Sequence, residues 1–167
     1  MRVMKKKTNS VYIETTVISY LISRASTSLK LASEQLITQE WWQEVLPKMK
    51  PYISTFVVDE ISLGDKSQAL KRIEAVSRFE VLQETPEVKT LANLYLKELA
   101  IPAKSKVDAF HLAMASIFEI DFMVSWNCKH IANPFFQKKI ESINNSFNLI
   151  TPVICTPREM SGEYNEE

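Results

Sequence analysis

Apolar residues in this chain fall into two patterns, short dense runs and longer spaced ones. Residues 10–14, 52–55, 79–82, 121–126 and 148–151 are brief and rich in β-branched or aromatic side chains, as strands are. Between them apolar positions recur every three or four residues, the period of a helix. Residues 30–46 carry Leu31, Leu36, Trp41, Trp42 and Val45. Residues 65–77 start at Asp65, a candidate N-cap, and continue through Ala69, Leu70, Ile73 and Val76. Thr85-Pro86-Glu87-Val88 has the signature of a helix start: a capping hydroxyl, a proline where no N–H is needed, and an acid in the first turn. Leu91, Leu94, Tyr95 and Leu99 carry that helix to Ile101-Pro102, and Val107, Phe110, Met114 and Ile117 mark another over 106–119. The alternation predicts an α/β fold: a mostly parallel sheet of about five strands with helices on both faces.

Three acids interrupt this pattern at the ends of apolar runs. Glu14 closes Val11-Tyr12-Ile13, Glu60 follows Tyr52 to Asp59, and Asp108 opens the helical stretch through Ala115. A carboxylate beside a buried segment needs a partner. In parallel sheets, ligands gather at the carboxyl ends of the strands. If the three acids converge there, only a divalent cation or a shared proton stabilises their charge. The placement therefore points to a Mg²⁺ or Mn²⁺ site and to phosphate chemistry. Each acid also has a plainer role open to it: Glu14 as the cap of the helix that follows, Asp108 as a charge in the first turn of its helix.

Composition narrows the classes. A length of 167 residues with 46% hydrophobic residues suits one globular domain. No apolar run approaches the roughly 20 residues of a membrane span, and the basic start Met1–Lys7 has no apolar stretch behind it, so a cytoplasmic protein without a secretory signal is expected. Two glycines in the whole chain leave no glycine-rich phosphate loop, which argues against P-loop and dinucleotide sites. Cys128 and Cys155, with only two histidines, do not have the spacing of a zinc site and read as free thiols. Twenty basic against 20 acidic residues give no general footprint for nucleic acid, although Lys104, Lys106, Lys129, Lys138 and Lys139 could form a local basic rim. A receiver-like signalling domain also collects acids at strand ends, but its phosphoacceptor Asp after the third strand and Lys after the fifth are missing.

Four segments carry a resemblance: Tyr12-Ile13-Glu14-Thr15-Thr16-Val17-Ile18-Ser19-Tyr20-Leu21, Ile53 to Ile61, Lys106-Val107-Asp108-Ala109-Phe110-His111-Leu112-Ala113, and Phe122 to Asn133 with its unusual Trp126-Asn127-Cys128-Lys129-His130. Together they resemble the PIN-domain family, and within it the VapC-like toxin ribonucleases of bacterial toxin–antitoxin pairs. The resemblance spans residues 10 to 155 of a single domain, ahead of a polar tail at 161–167. It implies a three-layer α/β fold, RNA cleavage dependent on Mg²⁺ or Mn²⁺, an antitoxin partner and a homodimer. It further implies that Glu14, Glu60 and Asp108 bind the metal. The family more often has Asp at the position of Glu14. Asp59 competes with Glu60, but adjacent helical residues point about 100° apart, and the family pattern selects Glu60. Where many members have a fourth acid this chain has Asn127, which either supports the metal through its carbonyl or caps the turn after it. Thr15 and Thr16 either bond ligands or phosphate or cap the first helix, and Lys129 and His130 lie where RNA backbone would pass. His111, three residues beyond Asp108, reads as a core or supporting residue. The departures at Glu14 and Asn127 motivate a second reading, a PIN-shaped module that binds RNA or protein without catalysis.

Overall fold

The structure, a computed structural model, describes residues 7–161; the residues before Lys7 and the acidic tail after Ser161 lie outside the described residues. Five strands form one sheet: β1 (Ser10–Ile13), β2 (Lys50–Ser54), β3 (Glu80–Leu82), β4 (Phe122–Val124) and β5 (Val153–Cys155). Their order is β3-β2-β1-β4-β5 and every pairing is parallel. This is not the 2-1-3-4-5 order of flavodoxin- and receiver-like sheets. The helices are α1 (Thr15–Ile22), α2 (Leu29–Glu44), α3 (Thr55–Ile61), α4 (Lys66–Ala75), α5 (Pro86–Glu98), α6 (Lys106–Ile117), α7 (Pro134–Ser146) and α8 (Pro157–Met160).

The central strand shows why the sheet needs cover on both faces. Successive side chains of a strand point to opposite faces, yet Val11, Tyr12 and Ile13 are all 0% exposed. Met123 and Val124 of β4 are equally buried, whereas the edge strands β3 and β5 leave Val81 and Val153 partly in solvent. The core continues into α1 through Val17 and Ile18, into α5 through Val88, Leu91 and Tyr95, and into α6 through Ala109, Leu112 and Met114.

Local signals place most elements. Asp65 accepts from the Gln68 N–H at 3.0 Å and caps α4; Thr85 accepts from the Val88 N–H and caps α5 with Pro86 behind it. The strand expected at 148–151 is corrected. Asn148 adopts φ 56°, and the N–H of Leu149 returns to the Asn144 carbonyl at 2.9 Å while that of Asn148 reaches Asn145. This is a Schellman cap that ends α7, so the chain turns there and pairs with β4 only from Val153. Helix α7 itself was not foreseen, although Asn133-Pro134 carries the same cap-then-proline signal as Thr85-Pro86.

Two more Schellman caps use non-glycine residues: Ala100 at φ 51° after α5 and Glu119 at φ 52° after α6. Helices α5, α6 and α7 are joined by a buried polar cluster. The Tyr95 hydroxyl meets Ser116 Oγ at 3.1 Å and Asn144 Oδ1, and Asn144 Nδ2 donates to Ser116 and to Thr151. Burial pushes the Tyr95 phenol up to about 12, so it stays a donor. The cluster anchors α6, which carries Asp108 and His111 toward the carboxyl edge of the sheet.

Candidate functional site

All strands run parallel, so the loops leaving β1, β2 and β4 open at one edge. The chain builds outward from β1 in both directions, which makes the crevice between β1 and β4 the switch point where α/β sheets bind ligands. Glu14 stands directly after β1, and its backbone N–H donates to Val124 O of β4 at 3.1 Å. Its side chain turns back over α1. Oε2 accepts from the Thr16 N–H at 3.2 Å, the Thr16 hydroxyl at 2.5 Å and the Ser125 hydroxyl at 2.6 Å. Glu14 is thus the N-cap of α1, with all three donors on one oxygen. Oε1 receives no hydrogen bond from the described residues. Burial pushes the Glu14 carboxyl up from its ordinary value, against the opposing pull of His111 and the Ser125 and Thr16 bonds.

Glu60 arrives from α3, which begins where β2 ends. Its Oε1 accepts from the Thr15 hydroxyl at 2.7 Å and lies 2.6 Å from His111 Nε2. Burial raises its carboxyl, but the His111 hydrogen bond and charge together with Thr15 outweigh it and hold the group below its ordinary value. Asp59, the competitor beside it, is exposed. Glu14, Glu60 and His111 each offer a ligand atom within 4.8 Å of the others. The two carboxyls are pushed in opposite directions, the sign of a crowded pair of acids in unequal surroundings.

Asp108 stands in the first turn of α6, buried, but does not enter that three-residue group. Its Oδ2 lies 2.7 Å from Nδ1 of His130, whose ring stacks on Phe136 at 6.2 Å. His130 therefore points inward, 7% exposed, while Lys129 beside it faces solvent. Asn127 Oδ1 accepts from the His130 N–H at 3.0 Å, so the amide caps the turn that follows. Thr15 and Thr16 spend their hydroxyls on Glu60 and Glu14, holding the acids in place. Thr16 Oγ1 also accepts from the Trp126 N–H at 2.9 Å, and the Trp126 indole donates to Thr38 at 2.8 Å and stacks on Tyr20.

Sequence reasoning passed over Ser125, Tyr12 and Ser54. Each is a hydroxyl set within or at the end of an apolar strand, where it needs a partner, and that is the signal that marks them.

A divalent cation, implied by the resemblance, fits the donors present. Glu14 Oε1 and Glu60 Oε2 are carboxylate oxygens without a hydrogen-bond donor among the described residues, in a partly buried site, and hard cations take such oxygens.

No protein-family model matches the sequence, and no curated protein does. Solved structures match the fold. VapBC2 from Rickettsia felis, bound to a DNA fragment from its promoter, superposes with a TM-score of 0.51 at 13% identity, over 88% of this chain and 98% of that one. A toxin–antitoxin complex from Klebsiella pneumoniae gives 0.56 at 17%, over 88% and 97%. VapC20 from Mycobacterium tuberculosis, a toxin that cleaves the sarcin–ricin loop, gives 0.56 at 16%, over 72% and 92%. The α/β fold expected from the four sequence segments is the fold these proteins share.

Proposed function

We propose that this chain is a PIN-type ribonuclease that uses Mg²⁺ or Mn²⁺ to hydrolyse RNA phosphodiester bonds, as the toxin of a toxin–antitoxin pair. The observation that carries the reading is the meeting of Glu14 and Glu60 at the β1/β4 switch point, each with protein donors on one oxygen and none among the described residues on the other. The fold shared with VapC toxins, one of them an RNA-cleaving enzyme, supports it. Glu14 and Glu60 would hold the cation, and Asp108, whose Oδ1 His130 does not engage, would supply the third acid. A bound cation would lower the pKa of water and offset charge building on the phosphate. Thr15, Thr16 and Ser125 keep the two glutamates oriented, and exposed Lys129 would meet the RNA backbone. A single domain with its core over about 10–155, an antitoxin partner and a second copy of the chain complete the proposal; the toxin–antitoxin complexes among the similar folds support the antitoxin partner.

One observation favours the second reading, a PIN-shaped binding module. Asp108 is engaged by His130 and Asn127 is engaged as a cap, so the charge facing a cation would come chiefly from two glutamates. A ribonuclease assay in Mn²⁺ and Mg²⁺ against EDTA, run beside Glu60→Gln, separates the two. Cleavage that needs the cation and disappears in the variant supports the enzyme; cation-independent RNA binding without cleavage supports the module. No helix among the described residues is long and apolar enough to cross a membrane.

A further inference from the structure

Beneath Glu60 lies a chain of three fully buried polar groups. Ser54, Tyr12 and His111 are all 0% exposed. Ser54 Oγ lies 2.7 Å from the Tyr12 hydroxyl, which lies 2.7 Å from His111 Nδ1, and His111 Nε2 lies 2.6 Å from Glu60 Oε1. The residues come from β2, β1 and α6, so no local sequence signal connects them.

We propose that these groups form a one-way hydrogen-bond relay, Ser54 to Tyr12 to His111 to Glu60, which fixes the His111 tautomer and through it the orientation of Glu60. Donor counting sets the direction. Ser54 Oγ already accepts the Val57 N–H at 3.4 Å, at the cap of α3, so its hydrogen is free to be given to Tyr12. Tyr12 then donates to Nδ1, and the hydrogen on Nε2 goes to the Glu60 carboxylate. In the reverse direction Ser54 would face two donors, and its own hydrogen would have no acceptor among the described residues. An unpaired buried polar group is costly, so the forward direction is favoured. Burial also holds the Tyr12 phenol well above its ordinary value, which keeps it a donor.

The consequence is selective use of Glu60. With Thr15 and His111 both on Oε1, the carboxylate keeps Oε2 for a cation, as Glu14 keeps Oε1. Ser54 couples the relay to the helix that carries Glu60, because the same hydroxyl caps α3. Tyr12, Ser54 and His111 are positioning residues, acting on a ligand through its hydrogen bonds, a kind of partner whose loss commonly costs ten- to a hundredfold in metal affinity. The inference rests on the reading of Glu60 as a cation ligand.

The test has two readouts that do not depend on activity. Nitrogen-15 NMR of His111 in the whole protein, in EDTA and at a pH where the ring carries a single hydrogen, is expected to place that hydrogen on Nε2. Calorimetric titration of Mn²⁺ is expected to show affinity lower by about ten- to a hundredfold in Tyr12→Phe, with circular dichroism unchanged. A wild-type ring whose single hydrogen sits on Nδ1 overturns the relay whether or not the variant folds. Unchanged Mn²⁺ affinity in a folded Tyr12→Phe, beside a wild type that binds Mn²⁺, overturns the relay and leaves the cation site standing. A wild type that takes up no Mn²⁺ overturns both.

Discussion

The Ser125 hydroxyl donates to Glu14 Oε2 over 2.6 Å, joining residues 111 positions apart across the β1/β4 switch point. Ser125 Oγ in turn accepts the Asn127 N–H at 2.9 Å, so Ser125 holds both the buried acid and the loop after β4. Ser125→Ala withdraws a donor from a carboxylate and an acceptor from a backbone N–H. It is expected to cost about 2 kcal/mol, within the range for hydrogen bonds to charged groups. Urea denaturation at neutral pH measures it; an unchanged midpoint would show that the loop relaxes to replace both bonds.

Glu14 and Glu60 give opposite pH signatures. The folded Glu14 carboxyl is raised above its ordinary 4.5, chiefly by burial. Between 4.5 and that raised value the folded protein holds more protons than the unfolded chain, so stability falls as pH rises through the window. Glu60 is held below 4.5, so its contribution is present above 4.5 and is lost as pH falls through its folded value. Glu14→Gln is therefore expected to melt higher than the wild type at neutral pH in EDTA, with the gap closing below 4.5, and to bind Mn²⁺ more weakly. Melting curves across pH test this; a variant less stable than wild type at neutral pH would reject burial as the dominant effect.

At Asp108, two substitutions separate charge from structure. Asp108→Asn keeps an acceptor for His130 and is expected to preserve the melting temperature in EDTA while cleavage in Mn²⁺ is lost. Asp108→Ala leaves His130 Nδ1 unpaired at a buried position and is expected to cost about 1–3 kcal/mol. Full activity in Asp108→Asn would confine the acidic machinery to Glu14 and Glu60.

The cap after α5 offers a stabilising change. Ala100 sits at φ 51°, a left-handed conformation that costs a residue with a β-carbon roughly 1–2 kcal/mol and costs glycine little. Ala100→Gly is expected to gain about 1 kcal/mol, or about 2–4 °C in melting temperature for a chain of this size, without affecting cation binding. A fall in melting temperature would show that the added freedom of the unfolded chain outweighs the relieved strain.

What this sequence determines by itself is local. Asp65 before α4 and Thr85-Pro86 before α5 can be read from four residues, because a cap bonds an N–H only three positions ahead. The strand–helix alternation, and with it the parallel sheet, follows from apolar spacing. The family pattern selected Glu60, and the helix then turned Asp59 outward. Helix α7 lay within local reach at Asn133-Pro134 and was still missed, while the strand placed at 148–151 moved to Val153–Cys155 because Asn148 could take a left-handed cap that apolar content does not reveal. Beyond local reach tertiary structure decided: the pairing of Asp108 with His130, the bond from Thr15 to Glu60, and the placing of His111 between Tyr12 and Glu60 link residues up to 99 positions apart. Such contacts depend on strand order and on the depth at which α6 packs, and a buried polar group finds its partner only when folding brings the partner within about 3 Å.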